Sequence, residues 1–300
     1  MSKTYAIIVG TNKGASTSVF NYLADHPDVC GSYIKQTNFF LGPSPGKEVA
    51  FDVRDGFDQY DKFFTDCSPT SKILLEASPD YMYSTIAAER MQQYLGDKDH
   101  KLIFLLRHPV SRFLSWYGFA KQTKLIPESM SVADYLKANQ VENTANNPAY
   151  DVLETGRYSK YIEHYLRMFS SGNLLFLYYE DLKQDSKGFL KELSAALTLD
   201  PGFYDDYSFR RFNPTVKVRS HRLRQAYMLL RKMAKQTVYD QEWFRKLFSR
   251  PIGYIQRTYK TVNSVAPSHE LDHKSEQFLQ DYYFSEIQLL PKMIGKSTPW

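Results

Sequence analysis

The sequence predicts an α/β protein with a central parallel sheet and a helical C-terminal portion. Three observations carry that prediction. Apolar runs at residues 5–9, 72–76, 101–107 and 174–178 have the length of strands buried on both faces. Helical patterns lie between successive runs, so consecutive strands are joined by crossovers and run parallel. After residue 220 no convincing strand pattern remains, and helical stretches near 220–235, 240–248 and 270–291 take over.

The elements follow in order. The first strand, residues 5–9, breaks at Gly10, and the helix after it carries Val19, Phe20 and Leu23 on one face. That helix ends at Asp25-His26-Pro27, because Pro27 lacks an N–H and restricts the residue before it. A short segment at 29–34 leads to Lys35-Gln36-Thr37-Asn38-Phe39-Phe40 and then to a Pro/Gly/Ser-rich loop at 42–46. A helix around 58–64, rich in aromatic residues, covers the sheet. The strand at 72–76 ends in the turn Ala77-Ser78-Pro79-Asp80-Tyr81, and a helix over 84–95 stops at Gly96.

His108-Pro109 breaks the third strand, and a helix starts near Val110. Ser131 and Asp134 form a capping pattern for a helix to about Ala138. Residues 139–148, polar and with four Asn, read as a flexible loop over the site. Gly156-Arg157-Tyr158 precedes an amphipathic helix through Met168. The strand at 174–178 is followed by Glu180-Asp181-Leu182 and a helix over 186–197. The 300 residues are expected to form one domain, 1–300, with an α/β core at 1–200 and a helical part at 201–300.

Apolar residues make up 43% of the chain, enough for a full core, and aromatic residues 15%. Cys30 and Cys67 are the only cysteines. Without metal-like spacing they exclude a zinc centre and read as reduced thiols, although two cysteines leave a bridge open. No secretory signal or membrane-length apolar run is present, so a soluble, cytoplasmic protein is expected. The net charge of +5 is uneven: residues 217–260 hold twelve Lys or Arg against Asp240 and Glu242, an excess of +10. That segment reads either as a solvated face or as an electropositive wall beside an anionic ligand.

The chemistry collects at the C-terminal ends of the strands, where open α/β sheets bind ligands. Gly10-Thr11-Asn12-Lys13-Gly14 with Ala15, Ser16, Thr17 and Ser18 joins a strand to a helix N-terminus. Unpaired N–H groups, the helix dipole and the Lys13 ammonium then converge on one point, which makes a phosphate site. The order of residues is not that of a nucleotide-triphosphate P-loop, where Lys follows the second Gly and precedes Ser or Thr. Arg107 ends another strand, with Ser111 and Ser115 on the following helix, and arginine suits bidentate phosphate contacts. Two phosphate-type sites on two strands imply a ligand with phosphoryl groups at both ends of a nucleoside.

These residues resemble the sulfotransferases that use 3′-phosphoadenosine 5′-phosphosulfate (PAPS) and release PAP, favouring their bacterial and glycan-modifying branch. Lys13 through Ser18 is similar to the family's 5′-phosphosulfate loop. Leu105-Leu106-Arg107-His108-Pro109-Val110-Ser111-Arg112 through Ser115 is similar to its 3′-phosphate motif. Glu76-Ala77-Ser78-Pro79-Asp80-Tyr81, Gly156-Arg157-Tyr158, Tyr179-Glu180-Asp181-Leu182 and the terminal Trp300 also follow the family. The resemblance implies a P-loop-like three-layer fold and PAPS as co-substrate without a metal. It also implies sulfuryl transfer to a hydroxyl or a nitrogen of a small-molecule or saccharide acceptor rather than nucleic acid. Lys13 would support the departing phosphate oxygen. Tyr158 lies near the cofactor or in packing, and Arg219, after Asn213-Pro214-Thr215, would approach the 3′-phosphate.

One departure stands out. The family usually has Lys-Glu-x-x-Phe-Phe, whose Glu is the base in glycan-modifying members, whereas this chain has Lys35-Gln36-Thr37-Asn38-Phe39-Phe40. A glutamine amide is not a useful proton acceptor near neutral pH. Glu76, at the end of the neighbouring strand, reads equally as a substitute base or as a buried anchor. His108 reads as a turn residue or as an acid or base. The alternatives are a non-catalytic nucleotide-binding protein, suggested by Gln36, and a nucleotide-dependent phosphotransferase, which would need magnesium.

Overall fold

The computed structural model describes residues 3–43, 49–141, 150–209, 217–218, 264–265 and 271–300. Five strands, β1 (Thr4–Gly10), β2 (Val29–Gly31), β3 (Ile73–Ala77), β4 (His100–Leu106) and β5 (Leu174–Tyr178), form one sheet in the order β2-β3-β1-β4-β5. Every pairing in it is parallel. The crossovers are α1 (Ser16–Ala24), α2 (Thr85–Leu95), α3 (Pro109–Thr123), α4 (Val132–Gln140) and α5 (Tyr158–Met168). After β5 come α6 (Tyr179–Gln184) and α7 (Ser186–Ala196), and the chain closes with α8 (His273–Ile294).

Side chains alternate across each strand, so β1 feeds two cores at once. Tyr5, Ile7 and Val9 pack on one face with residues of α2 and α5 and a dense aromatic group. Ala6 and Ile8 pack on the other with α1 and α7. Helix–sheet–helix layering is therefore written into the alternation. Much of the aromatic content lies in the first core: Tyr60 packs within 4.7 Å of the Phe40 ring and 5.2 Å of the Tyr94 ring. Tyr60, Phe63 and Phe64 come from a 3₁₀ helix, Phe57–Phe64, where the sequence predicts a helix.

Local signals place the ends of helices. Ser84 caps α2 by accepting from Ala87 N, and Gly96 follows its last turn. Ser131 caps α4 through Asp134 N. The C-terminal helix packs on the same body: Leu279 and Tyr283 of α8 join a core with residues of α3 and α4. Glu286 of α8 accepts from Ser159 N (2.8 Å) and Ser159 Oγ (2.5 Å) at the start of α5.

Two expectations are corrected. Cys30 and Cys67 are joined in a disulfide across 37 residues, with Cα atoms 5.6 Å apart. The argument for an intracellular protein from reduced thiols therefore falls. Ser264–Val265 pairs antiparallel with Lys217–Val218, so a strand does follow residue 220. Two residues are too few to carry a periodicity. The helices expected at 220–235 and 240–248, Arg219, most of the basic segment 217–260 and most of the loop at 139–148 lie outside the described residues. Among the described residues no helix is long and apolar enough to cross a membrane.

Candidate active site

The turn from β1 to α1 is pressed against the end of β4. Thr11 N donates to Leu105 O (2.9 Å) and Gly14 N to Thr11 O (3.1 Å). A Cβ at Gly14 would stand 2.1 Å from Leu105 O, so only glycine lets the turn lie this close. Lys13 and Ala15 take positive φ, and α1 begins at Ser16 with no side-chain cap. The first turn of α1 thus keeps N–H groups for an outside acceptor. Burial pulls the Lys13 ammonium down to about 8, and the Arg107 charge adds to the fall. Its Nζ stands 4.4 Å from the centre of the Phe119 ring on α3.

Arg107, just beyond β4, donates through Nη1 to Lys13 O (3.3 Å), and its guanidinium carbon lies 4.4 Å from the centre of the Tyr179 ring. Its buried Nε has no hydrogen-bond partner, a donor held ready for a ligand oxygen. Ser111 and Ser115, four residues apart on α3, share one helix face beyond the same strand end. Tyr158 is wholly buried and donates to Arg107 O (2.7 Å). It therefore positions the arginine, and the cofactor contact suggested for it has no exposed surface to act through.

His108 begins α3. Its N donates to Glu180 Oε1 (3.0 Å), and its ring meets that of Trp300 edge-on at 5.9 Å. Trp300 Nε1 donates to the other Glu180 oxygen (3.1 Å), so Glu180 ties the end of β4 to the chain terminus. Burial lowers the pKa of the His108 ring. By sheet order His108 belongs to the Arg107 side, two strand spacings, roughly 10 Å, from β3 and the Gln36 loop. That distance counts against its role as the base.

The third group lies over β2 and β3. Lys35 Nζ donates to Ser16 Oγ (3.3 Å) in the first turn of α1. Burial pulls Lys35 down to about 8, opposed by the charges of Glu76 and Asp80. Glu76 has no exposed surface. Its Oε1 accepts from Thr37 N (3.3 Å), Thr37 Oγ1 (3.1 Å) and Ser78 Oγ, while Oε2 has no partner. Burial raises its carboxyl to about 7 against the pull of those hydrogen bonds and of Lys35. Glu76 presents no exposed surface to an acceptor, and its bonds to Thr37 and Ser78 anchor the Lys35–Gln36 loop.

Gln36 is exposed, and its Nε2 donates to Asn38 Oδ1 (3.3 Å) and Asp80 Oδ2 (3.4 Å). Asp80 Oδ1 accepts from Asn12 Nδ2, next to Lys13. Asn12, Asp80, Tyr179 and Glu180 are site residues to which the sequence reading attached no role. A carboxylate two residues beyond Ser78 was visible there, but its meeting with Asn12 and Gln36 was not. The site thus runs along the strand ends: the Lys35, Gln36 and Asp80 cluster over β2 and β3, the Lys13 turn at β1, and Arg107 at β4.

A fold with paired cationic turns at neighbouring strand ends defines a class of protein, and comparison with known proteins identifies it. The sulfotransferase domain model matches residues 3–201, and the chain belongs to that family. It is 28% identical over 219 residues to human heparan sulfate glucosamine 3-O-sulfotransferase 3B1, covering 70% of this chain and 49% of that protein. Human bifunctional heparan sulfate N-deacetylase/N-sulfotransferase 2 is 25% identical over 203 residues, 65% of this chain and 22% of that one. The chain spans about half the length of the 3-O-sulfotransferase it matches. In fold it matches a sulfotransferase from Alicyclobacillus acidocaldarius, with a TM-score of 0.65 at 18% identity over 99% of this chain and 98% of that one.

Proposed function

We propose that the protein transfers the sulfuryl group of PAPS to a hydroxyl of a saccharide, releasing PAP. The observation that carries this reading is the joining of the Lys13 turn to Arg107 through the 3.3 Å bond between them. The Lys13 turn and the first turn of α1 suit the 5′-phosphosulfate, and Arg107 with Ser115 suits the 3′-phosphate. The buried, partnerless Nε of Arg107 fits such an anion. Lys13 and Lys35 then flank the bond that breaks, where negative charge develops on the departing phosphate oxygen. A saccharide is favoured as acceptor because the similar human proteins are named for heparan sulfate and its glucosamine.

PAP release from PAPS in the presence of heparan sulfate oligosaccharides tests the reaction. Nucleotide binding without release on any acceptor would favour a binding protein instead. Arg107→Ala tests the geometry. PAP binding should weaken by about 1.5–3 kcal/mol, the worth of a charge-assisted contact. Binding of adenosine 5′-phosphosulfate, which lacks the 3′-phosphate, should change far less. Equal loss for both ligands would place Arg107 outside the 3′-phosphate site.

A further inference from the structure

Resting on the sulfotransferase reading, we propose that Asp80 is the catalytic base, accepting the proton of the acceptor hydroxyl in place of the missing glutamate. Position 36 lies in the loop beyond β2, where the resembled motif has Glu, and here it holds an amide. The amide nitrogen donates to a carboxylate, Asp80 Oδ2, brought in from the turn after β3. A carboxylate thus stands one side-chain contact away from the place where one is expected. The other carboxyl in this part of the site, Glu76, is sealed from any acceptor, whereas Asp80 is only half-buried.

Asp80 is also held in place. Asn12 Nδ2 donates to Oδ1 from the residue beside Lys13, and Gln36 Nε2 to Oδ2 from the opposite side. The first contact fixes the carboxylate beside the phosphosulfate turn, and the second fixes it beside the acceptor loop. Lys35 feels the charge of Asp80 while its own Nζ bonds to Ser16 of α1, so donor and base share one electrostatic neighbourhood. In the step itself, the acceptor oxygen forms a bond to sulfur as the bond from sulfur to the 5′-phosphate oxygen breaks. The electron pair leaves with PAP, Lys13 supports that oxygen, and the acceptor's proton passes to Asp80 and then to water.

The test compares two acceptors, a heparan sulfate oligosaccharide and 4-nitrophenol, with PAPS as donor. An alcohol needs a base, whereas 4-nitrophenol ionises near neutral pH without one. Asp80→Asn should lower kcat with the oligosaccharide by about 100-fold or more, the usual scale of a lost base. With 4-nitrophenol the loss should stay under about tenfold, and PAP affinity should hold within about threefold. Adding Gln36→Glu to Asp80→Asn should recover at least about tenfold of the lost kcat, by returning a carboxylate to the loop. Unchanged kcat in Asp80→Asn, equal loss for both acceptors without rescue, or loss of PAP binding overturns the proposal alone. A wild-type protein that releases PAP with neither acceptor overturns the sulfotransferase reading, and Asp80 as base falls with it.

Discussion

At the scale of single residues, the site contains charged groups that burial has made easier to discharge. Lys13, drawn down to about 8 by burial and by Arg107, is held more firmly in its charged form when an anion binds beside it. Lys13→Ala should lower turnover at saturating PAPS by about two or more orders of magnitude, because a donor aimed at developing charge acts mainly in the transition state. PAP affinity should fall much less, and unchanged turnover would assign Lys13 to nucleotide binding alone. Glu76 titrates in the opposite sense. Its carboxyl rises from 4.5 to about 7 in the folded protein, so the native state holds a proton that the unfolded chain releases. Its contribution to stability is therefore complete below about 4.5 and is lost as pH rises through about 7. Thermal melts of Glu76→Gln should show a smaller fall in Tm across that interval than the wild type, and parallel curves would contradict the assignment.

At the scale of elements, the turn proposed to hold the phosphosulfate depends on the strand beneath it. The carbonyl of Leu105 lies where a side chain at position 14 would begin, and a backbone atom inside a sheet cannot swing aside. Gly14→Val should lift the turn from β4, with PAP affinity falling by at least about tenfold, on the scale of one lost charged contact. Gly172→Ala is the matched control, because a Cβ there meets nothing within 4 Å. Calorimetric titration with PAP on both variants would separate a local effect from a general one. The same dependence explains Tyr158, whose hydroxyl donates to the carbonyl of Arg107 and so holds the backbone from which the guanidinium extends. In the proposed reading, phosphate recognition is a property of two strand ends and the helices that leave them.

For the whole molecule, the disulfide joins the edge strand β2 to Cys67, which follows the aromatic 3₁₀ helix. It closes a loop of 37 residues that contains Lys35, Gln36 and the Phe39–Phe40 pair. The entropy of that loop in the unfolded chain makes the bridge worth about 4 kcal/mol in the chain-entropy model. Cys30→Ala with Cys67→Ala should lower the denaturant midpoint, and a reductant should lower that of the wild type similarly. A midpoint that the reductant leaves unchanged would show that the bridge does not form in solution. An edge strand of three residues has few ladder bonds of its own, so a covalent tie there steadies the loop proposed to carry the acceptor side of the site.

Much of this was legible in the chain itself, because it is decided locally. Buried parallel strands announce themselves as apolar runs, and Ser84, Gly96 and Ser131 mark helix ends through bonds within one turn. The Lys13 turn and Arg107 could be read because a strand end followed by a helix places them whatever the rest of the chain does. What needed the tertiary structure were meetings across distance. Only the strand order β2-β3-β1-β4-β5 sets the turn after β3 between the loop after β2 and the turn after β1. That brings Gln36, Asp80 and Asn12 together and seals Glu76 beneath Thr37 and Ser78. The Cys30–Cys67 bridge and the two-residue pairing of Lys217–Val218 with Ser264–Val265 are of the same kind. Periodicity and capping report what a residue does with its neighbours in sequence, whereas the burial of a carboxyl or the partner of a side chain depends on which strands lie side by side.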